Sequence, residues 1–342
     1  MPTHIRTRVL QLLGSVLLGL AFLPSMVSAI TVSPVLFDNT VDPGQKVMGT
    51  IRLFNETQGT QTYYASVQNF VASGEEGQQS FLPESESYGL AKWIELDQPS
   101  VTLNAGQSKD FAWAINVPSD AEPGGQYAAI FFSTTPPANE NSGIGIGAKT
   151  GVLMLVNVNG NVKEAATLES FKTVHQEDLS NDSSFYDRLP VLFETRIQND
   201  GSVHFAPTGR IYITDMFGHA VTDVDMNPDQ SRVLPNSVRR VRAVWGTETT
   251  PPTSFLGELQ AEWNGLAFGR YTARLDGFYG KQRQELQGST TFWVIPWRLL
   301  LVGLVGLIIL LLLVRGYNRM VIAQAAKRSS EAKKVESAKE SS

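Results

Sequence analysis

The 342-residue sequence contains no cysteine. That absence excludes disulfide staples, thiol nucleophiles, Cys-ligated zinc and an acylated lipoprotein terminus. Histidine is scarce too: of four residues, His4 stands in the N-terminal leader, leaving His175, His204 and His219 29 and 15 positions apart. No HExxH or other compact ligand spacing joins them, and no GxSxG elbow accompanies a serine. Catalytic residues, metal ligands and cofactor-binding residues are therefore all expected to be absent, and no cofactor is expected. Also missing are long amphipathic helical patterns and, within the body of the chain, long apolar runs.

Apolar runs occur at the two ends. Arg6 and Arg8 precede an apolar stretch over 9–23, followed by the small residues Val27, Ser28 and Ala29. This is the layout of a secretory signal peptide over 1–29, with cleavage leaving Ile30 first. At the other end, fourteen of the sixteen residues 299–314 are Leu, Ile or Val. Extended back to Val294, the run is 21 residues, about 31 Å as a helix, enough to cross a bilayer with Arg298 snorkelling to the interface. Trp293 and Trp297 stand where an aromatic belt belongs, and the tail 315–342 is basic, a cytoplasmic flank by the positive-inside rule. The expectation is a single-pass cell-membrane protein with residues 30–293 outside.

That outer body holds 18 Lys and Arg against 30 Asp and Glu, a net charge of about −12. Such a surface does not suit nucleic acid. Without disulfides, the body must be held by apolar packing alone.

What the body does have is alternation. Period-2 stretches are read at 31–35, 46–54, 62–70, 108–117, 126–133 and 150–158, separated by turns such as Asp42-Pro43-Gly44. A second series follows at 190–198, 208–214, 237–245, 256–263, 269–278 and 289–294. The stretch VTLNAGQSKDFAWAINV at 101–117 has a worn copy in VLPNSVRRVRAVW at 233–245. Gly125 with Tyr127 has a counterpart in Gly269 with Tyr271, similar to the strand-opening tyrosine of immunoglobulin-like sandwiches. The fold expected is all-β: two tandem immunoglobulin-like antiparallel β-sandwiches, 30–165 and 166–293, then a transmembrane helix at 294–314. The boundary is placed in the polar stretch 163–187.

Other patterns are weaker. Glu75 and Glu76 in a Gly-rich loop read as solvated surface rather than a glycosidase pair. Arg240 and Arg242, two apart on a strand, read as one solvated face. Gly143, Gly145 and Ala148 fit a relaxed dinucleotide fingerprint, but a Pro- and Asn-rich loop precedes them where a strand is needed. Asn55-Glu56-Thr57 and Asn181-Asp182-Ser183 are glycosylation sequons in form only.

Ser33-Pro34, Pro43-Gly44-Gln45 before a strand, the turn-strand at 101–118 and PGGQYAAIFF at 123–132 together resemble the peptidoglycan-binding module of the bacterial WxL-interacting cell-surface protein family. The second half is similar to that family's host-binding module at Leu234-Pro235-Asn236-Ser237 and Gly269 to Tyr271, with Phe268 where proline is usual. The resemblance implies a non-enzymatic surface protein engaging peptidoglycan or another surface protein. It carries over no ligand-contacting residue. The alternative is a membrane-tethered chaperone or assembly factor for exported proteins, similar to two-domain pilus chaperones.

Overall fold

A computed structural model describes residues 30–83, 88–136, 149–176, 178–179, 181–247 and 252–340. The expected leader at 1–29 and the loop of Gly143, Gly145 and Ala148 lie outside them. The chain divides into two compact units, Met1–Ser73 with Gln78–Lys163, and Gly74–Gly77 with Glu164–Ser342.

The first unit is a sandwich. One sheet runs in the order β1 (Ile30–Ser33), β3 (Lys46–Asn55), β8 (Ser108–Asn116), β6 (Ile94–Leu96). The other runs β2 (Leu36–Val41), β10 (Lys149–Val158), β9 (Gly124–Ser133), β4 (Gln61–Ser73), β5 (Gln78–Phe81), with β7 (Ser100–Leu103) also on β4. A one-turn helix, α1 (Gly89–Trp93), precedes β6. Alternation sends Ile51, Leu53, Phe111, Ile115, Ile130, Phe132 and Met154 inward into one apolar core. Each such burial contributes roughly 1.5–3 kcal/mol before the entropy of ordering is subtracted.

The second unit repeats this plan. A three-stranded sheet, β11 (Ala166–Val174), β13 (Val191–Asn199), β16 (Ser237–Trp245), faces a sheet ordered β12 (Phe185–Tyr186), β18 (Gln284–Val294), β17 (Gly269–Tyr279), β14 (Thr208–Thr214), β15 (Ala220–Asp225). Phe193, Ile211, Ile213, Leu275 and Phe292 centre its core. The pairings β3–β8, β4–β9 and β9–β10 recur as β13–β16, β14–β17 and β17–β18. Both units are thus immunoglobulin-like sandwiches, with one departure from a wholly antiparallel plan. In each, the opening segment crosses between sheets, pairing antiparallel as β1 or β11 and then parallel as β2 on β10 or β12 on β18.

Three expectations change. Residues 256–263, read as a strand, lie in helix α2 (Phe255–Asn264). Ser254 caps it by accepting from the Gly257 N–H, Glu258 sits in its first turn, and Gly265 ends it. The apolar helix does not start at Val294, which closes β18. It begins as α3 (Trp297–Glu340) directly after Pro296, whose ring biases Ile295 to extended backbone. Over Trp297–Ala325 it is long and apolar enough to cross a membrane, its most apolar 18-residue stretch having a mean hydropathy of 2.8. Finally, the tyrosines do not correspond. Register aligns Gly124, opposite Val158, with Gly269, opposite Val294, both in the left-handed region at φ +142° and +115°. Counting on from these glycines, Gln126 occupies the place of Tyr271. Tyr271 is in the core and its hydroxyl closes on the Phe268 backbone, accepting from N–H at 3.1 Å. Tyr127 instead lies outside the first core, its ring 5.9 Å from that of Phe70.

The corresponding residues are two asparagines. Asn55 ends β3 and Asn199 ends β13, both fully buried. Asn55 Nδ2 donates to the carbonyls of Gly59 (2.9 Å), Leu103 (3.1 Å) and Asn104 (3.1 Å), while Oδ1 accepts from Thr57 N–H (3.0 Å) and the Tyr63 hydroxyl (2.8 Å). Asn199 Nδ2 donates to Val203 and Val233 carbonyls, both at 2.9 Å, and Oδ1 accepts from Gly201 N–H at 2.9 Å. In each unit one amide ties the loop after a strand to the turn before β8 or β16.

Candidate functional site

The outer face of the β3–β8–β6 sheet carries a trough of about 470 Å³. Register places Met48, Ala114 and Glu95 in one row across the three strands, with Thr50 and Ala112 in the next. Asp97, whose N–H donates to the Ala112 carbonyl at 3.2 Å, completes that second row. Because the central strand offers only alanines, its neighbours stand as walls, one carrying exposed Met48 and the other two carboxylates. Trp113 also contributes to the lining. Its ring meets Phe37 edge-on at 4.8 Å and lies over Gly49, where any Cβ would collide with the indole. The buried Trp113 Nε1–H has no hydrogen-bond partner among the described residues. Gly49→Val is expected to displace this ring and cost about 1–3 kcal/mol. A shift in the first unit's denaturation midpoint reads it, and an unchanged midpoint refutes the packing role.

Each unit leaves strand edge partly unpaired at the equivalent place in its own sandwich. In the first, β6 covers only the Trp113–Ile115 part of β8. In the second, no strand among the described residues occupies the equivalent place. Among the described residues, the one backbone bond on that edge of β16 runs from Arg240 N–H to the Glu75 carbonyl at 2.8 Å. Backbone groups alternate in direction along a strand, so those of Val238, Arg242 and Val244 point outward as Arg240's do.

Glu75 and Glu76 and the arginines, read as separate solvated surfaces, meet on the outer face of sheet β11–β13–β16. Glu75 accepts from Arg196 Nε at 2.8 Å and Nη2 at 2.6 Å, and from Arg240 at 2.9 Å. Glu76 takes Arg240 and Arg242 at 2.8 and 2.9 Å. Beneath them Glu194, only 1% exposed, faces Arg240 (3.3 Å), Arg242 (3.4 Å) and Lys172 (3.6 Å). Gly77, at φ +83°, leaves room for the Arg239 guanidinium, which any Cβ would strike. Strand alternation put the arginines on one face; the carboxylates come from 164 to 166 positions away, a separation no local pattern reveals.

The Arg196 hydrogen bond holds the Glu75 carboxyl below its ordinary value, and Glu75 in turn raises the Arg196 guanidinium. Because the folded value is depressed, this stabilisation is present above the unfolded value of 4.5 and is lost as pH falls through the lower folded one. Acid titration of the second unit's unfolding midpoint should therefore show a limb below pH 4.5 that Glu75→Gln flattens. An identical limb in the variant assigns it elsewhere.

The histidines do not converge on a site. His175 Nε2 lies 2.9 Å from Ser183 Oγ, His219 Nδ1 lies 3.2 Å from Asp215, and His204 is buried. No group of three potential metal ligands occurs among the described residues. The Asn55 sequon is a structural amide and not an exposed acceptor. Sequence reasoning missed the trough because its signal is small residues, Ala112 and Ala114, at the outward positions of an otherwise bulky strand.

These features define a class, tandem immunoglobulin-like sandwiches with open sheet edges and an apolar C-terminal helix. No protein-family model matches the chain, and no curated protein matches it. Among solved structures, the chain is similar to the Class 5 fimbriae chaperone CfaA, at 10% identity and TM-score 0.34, covering 78% of this chain and 100% of that one. A complex of CsuC chaperone and CsuE tip adhesion subunit from Acinetobacter baumannii is similar at 11% identity and TM-score 0.30, covering 62% and 89%. A PapD-like domain of human CEP192 covers 40% of this chain and 93% of its own length at 11% identity and TM-score 0.26. At these values the fold assignment rests on the strand orders and registers described above.

Proposed function

We propose that this chain is a non-catalytic, membrane-tethered binding protein of the cell envelope that acts as a chaperone or assembly factor for exported proteins. It accepts an extended client segment as an added strand. The observation that carries this is the outer edge of β16, where no strand among the described residues takes the place β6 takes on β8 and only Arg240 is bonded, to the Glu75 carbonyl. Main-chain hydrogen bonds there supply affinity with little demand on client sequence, and pockets beside the edge select side chains. The trough on the first unit, with apolar floor and acidic wall, suits an apolar segment carrying Lys or Arg.

The full-length chain, in lipid nanodiscs, is to be offered a urea-unfolded exported β-sheet protein, the same protein folded, and purified peptidoglycan. The expected result is retention of the unfolded client, slowed amide exchange at Arg242 and Val244, and loss of retention in Val244→Pro, which removes one outward N–H. Capture of folded partners only overturns the chaperone reading. Pelleting with peptidoglycan while β16 stays unprotected favours the wall ligand implied by the resemblance to WxL-interacting proteins.

A further inference from the structure

Helix α2 (Phe255–Asn264) is amphipathic the wrong way round for a soluble domain. Its charged residues, Glu258 and Glu262, one turn apart, face the protein. Glu258 Oε2 accepts from Arg188 at 2.7 Å. Glu262, fully buried, accepts from the Arg298 guanidinium at 2.8 Å and from the Leu299 N–H at 2.9 Å, capping the first turn of α3 (Trp297–Glu340). Asp187 completes the collar on Arg298 at 2.5 Å. Arg298, expected to snorkel, is thus held by carboxylates. The residues α2 turns outward are Phe255, Leu256, Gln260, Trp263 and Asn264, and the three large apolar ones among them are exposed by 54%, 75% and 68%.

This apolar surface continues past the helix. Leu266 and Phe268 follow it, both more than half exposed. Phe268 adjoins Gly269, which pairs with Val294 at the end of the β17–β18 ladder from which α3 departs. The β14–β15 turn comes to the same end, since Met216 packs against Gly269, and it carries Phe217 at 76% exposure. Large apolar side chains therefore ring the start of the apolar helix, while a sandwich in water keeps such a patch small. A helix with an apolar outer face, flanked by Trp and Phe, is the form that lies in a bilayer interface.

We infer that α2, with Phe268 and the Phe217 turn, rests in the headgroup layer of the bilayer entered by α3, fixing the second sandwich against the membrane surface. This rests on the reading of α3 as a membrane span. The occupant is lipid and not a protein partner, because the patch is continuous with that span and is bonded to its first turn through Glu262.

The absence of cysteine makes the test clean. Single cysteines at Leu256, Trp263, Leu307 and Gln282 are to be nitroxide-labelled in the full chain, in vesicles of phosphatidylethanolamine and phosphatidylglycerol. Accessibility to oxygen and to a nickel chelate is then compared. Leu307, inside the span, reports anchoring; Gln282, in the turn at the opposite end of β17–β18, is the aqueous control. The expected result is an oxygen-to-nickel ratio at Leu256 and Trp263 several-fold above that at Gln282. Values at Leu256 and Trp263 matching Gln282, with Leu307 in lipid, overturn the inference and leave the anchor standing. An aqueous Leu307 removes both.

Discussion

Asn55→Ala should cost the first unit roughly 3–4 kcal/mol, because the carbonyls of Gly59, Leu103 and Asn104 all lose a donor the variant cannot replace. For a unit of this size that is a fall of about 10–15 °C in the first thermal transition. The Tyr63 hydroxyl and the Thr57 N–H lose their acceptor as well. Asn199→Ala should act in the same direction on the second unit, and by less, since fewer bonds converge on it. Asn55→Asp tests the mechanism more sharply. It keeps shape and acceptor but turns a second oxygen toward three carbonyls, so it should be at least as harmful as alanine. Calorimetry of the full chain showing Asp better tolerated than Ala would discard the donor argument.

Removing Glu194 is the other large effect. Its carboxylate is the buried counter-charge of Lys172, Arg240 and Arg242, and without it these three cations keep only the more exposed Glu75, Glu76 and Asp182. Deleting one partner of a buried ion cluster costs about 3–5 kcal/mol, whereas replacing a whole cluster by apolar groups is often neutral. Glu194→Ala should therefore lower the second transition strongly, while Glu194→Leu combined with Arg240→Leu and Arg242→Met should recover much of the loss. A mild single variant, or a triple variant worse than the single, would show that packing of the aliphatic stems matters more than charge.

The repeat itself was readable from 101–117 and 233–245, because β8 and β16 both carry period-2 alternation after a polar turn. What the pattern could not supply was phase. Gly125–Tyr127 looks like Gly269–Tyr271, yet one residue of register sends the two side chains to opposite faces. Asn55 was visible only as part of a sequon, and its equivalent Asn199, one position past the stretch 190–198, carried no signal, because a single polar side chain at a strand end has no period. Residues 256–263 misled for a related reason. With Glu258 and Glu262 turned inward and Leu256 and Trp263 outward, the usual link between polarity and exposure is reversed. The ion cluster needed tertiary placement of the Gly74–Gly77 turn, which no window of sequence contains.

The sheet-crossing segments bear on when each sandwich can finish forming. Leu36 of β2 pairs with Leu153 of β10, so the first segment of the unit waits for the last. Phe185 likewise waits for Trp293, the penultimate residue of β18. Non-local closure of this kind slows folding, since loop entropy is spent before the contact rewards it. A chain emerging N-terminus first would hold each module open until nearly all of it had been delivered. The second could close only as the apolar helix followed, so completion of the body and arrival of its anchor would coincide.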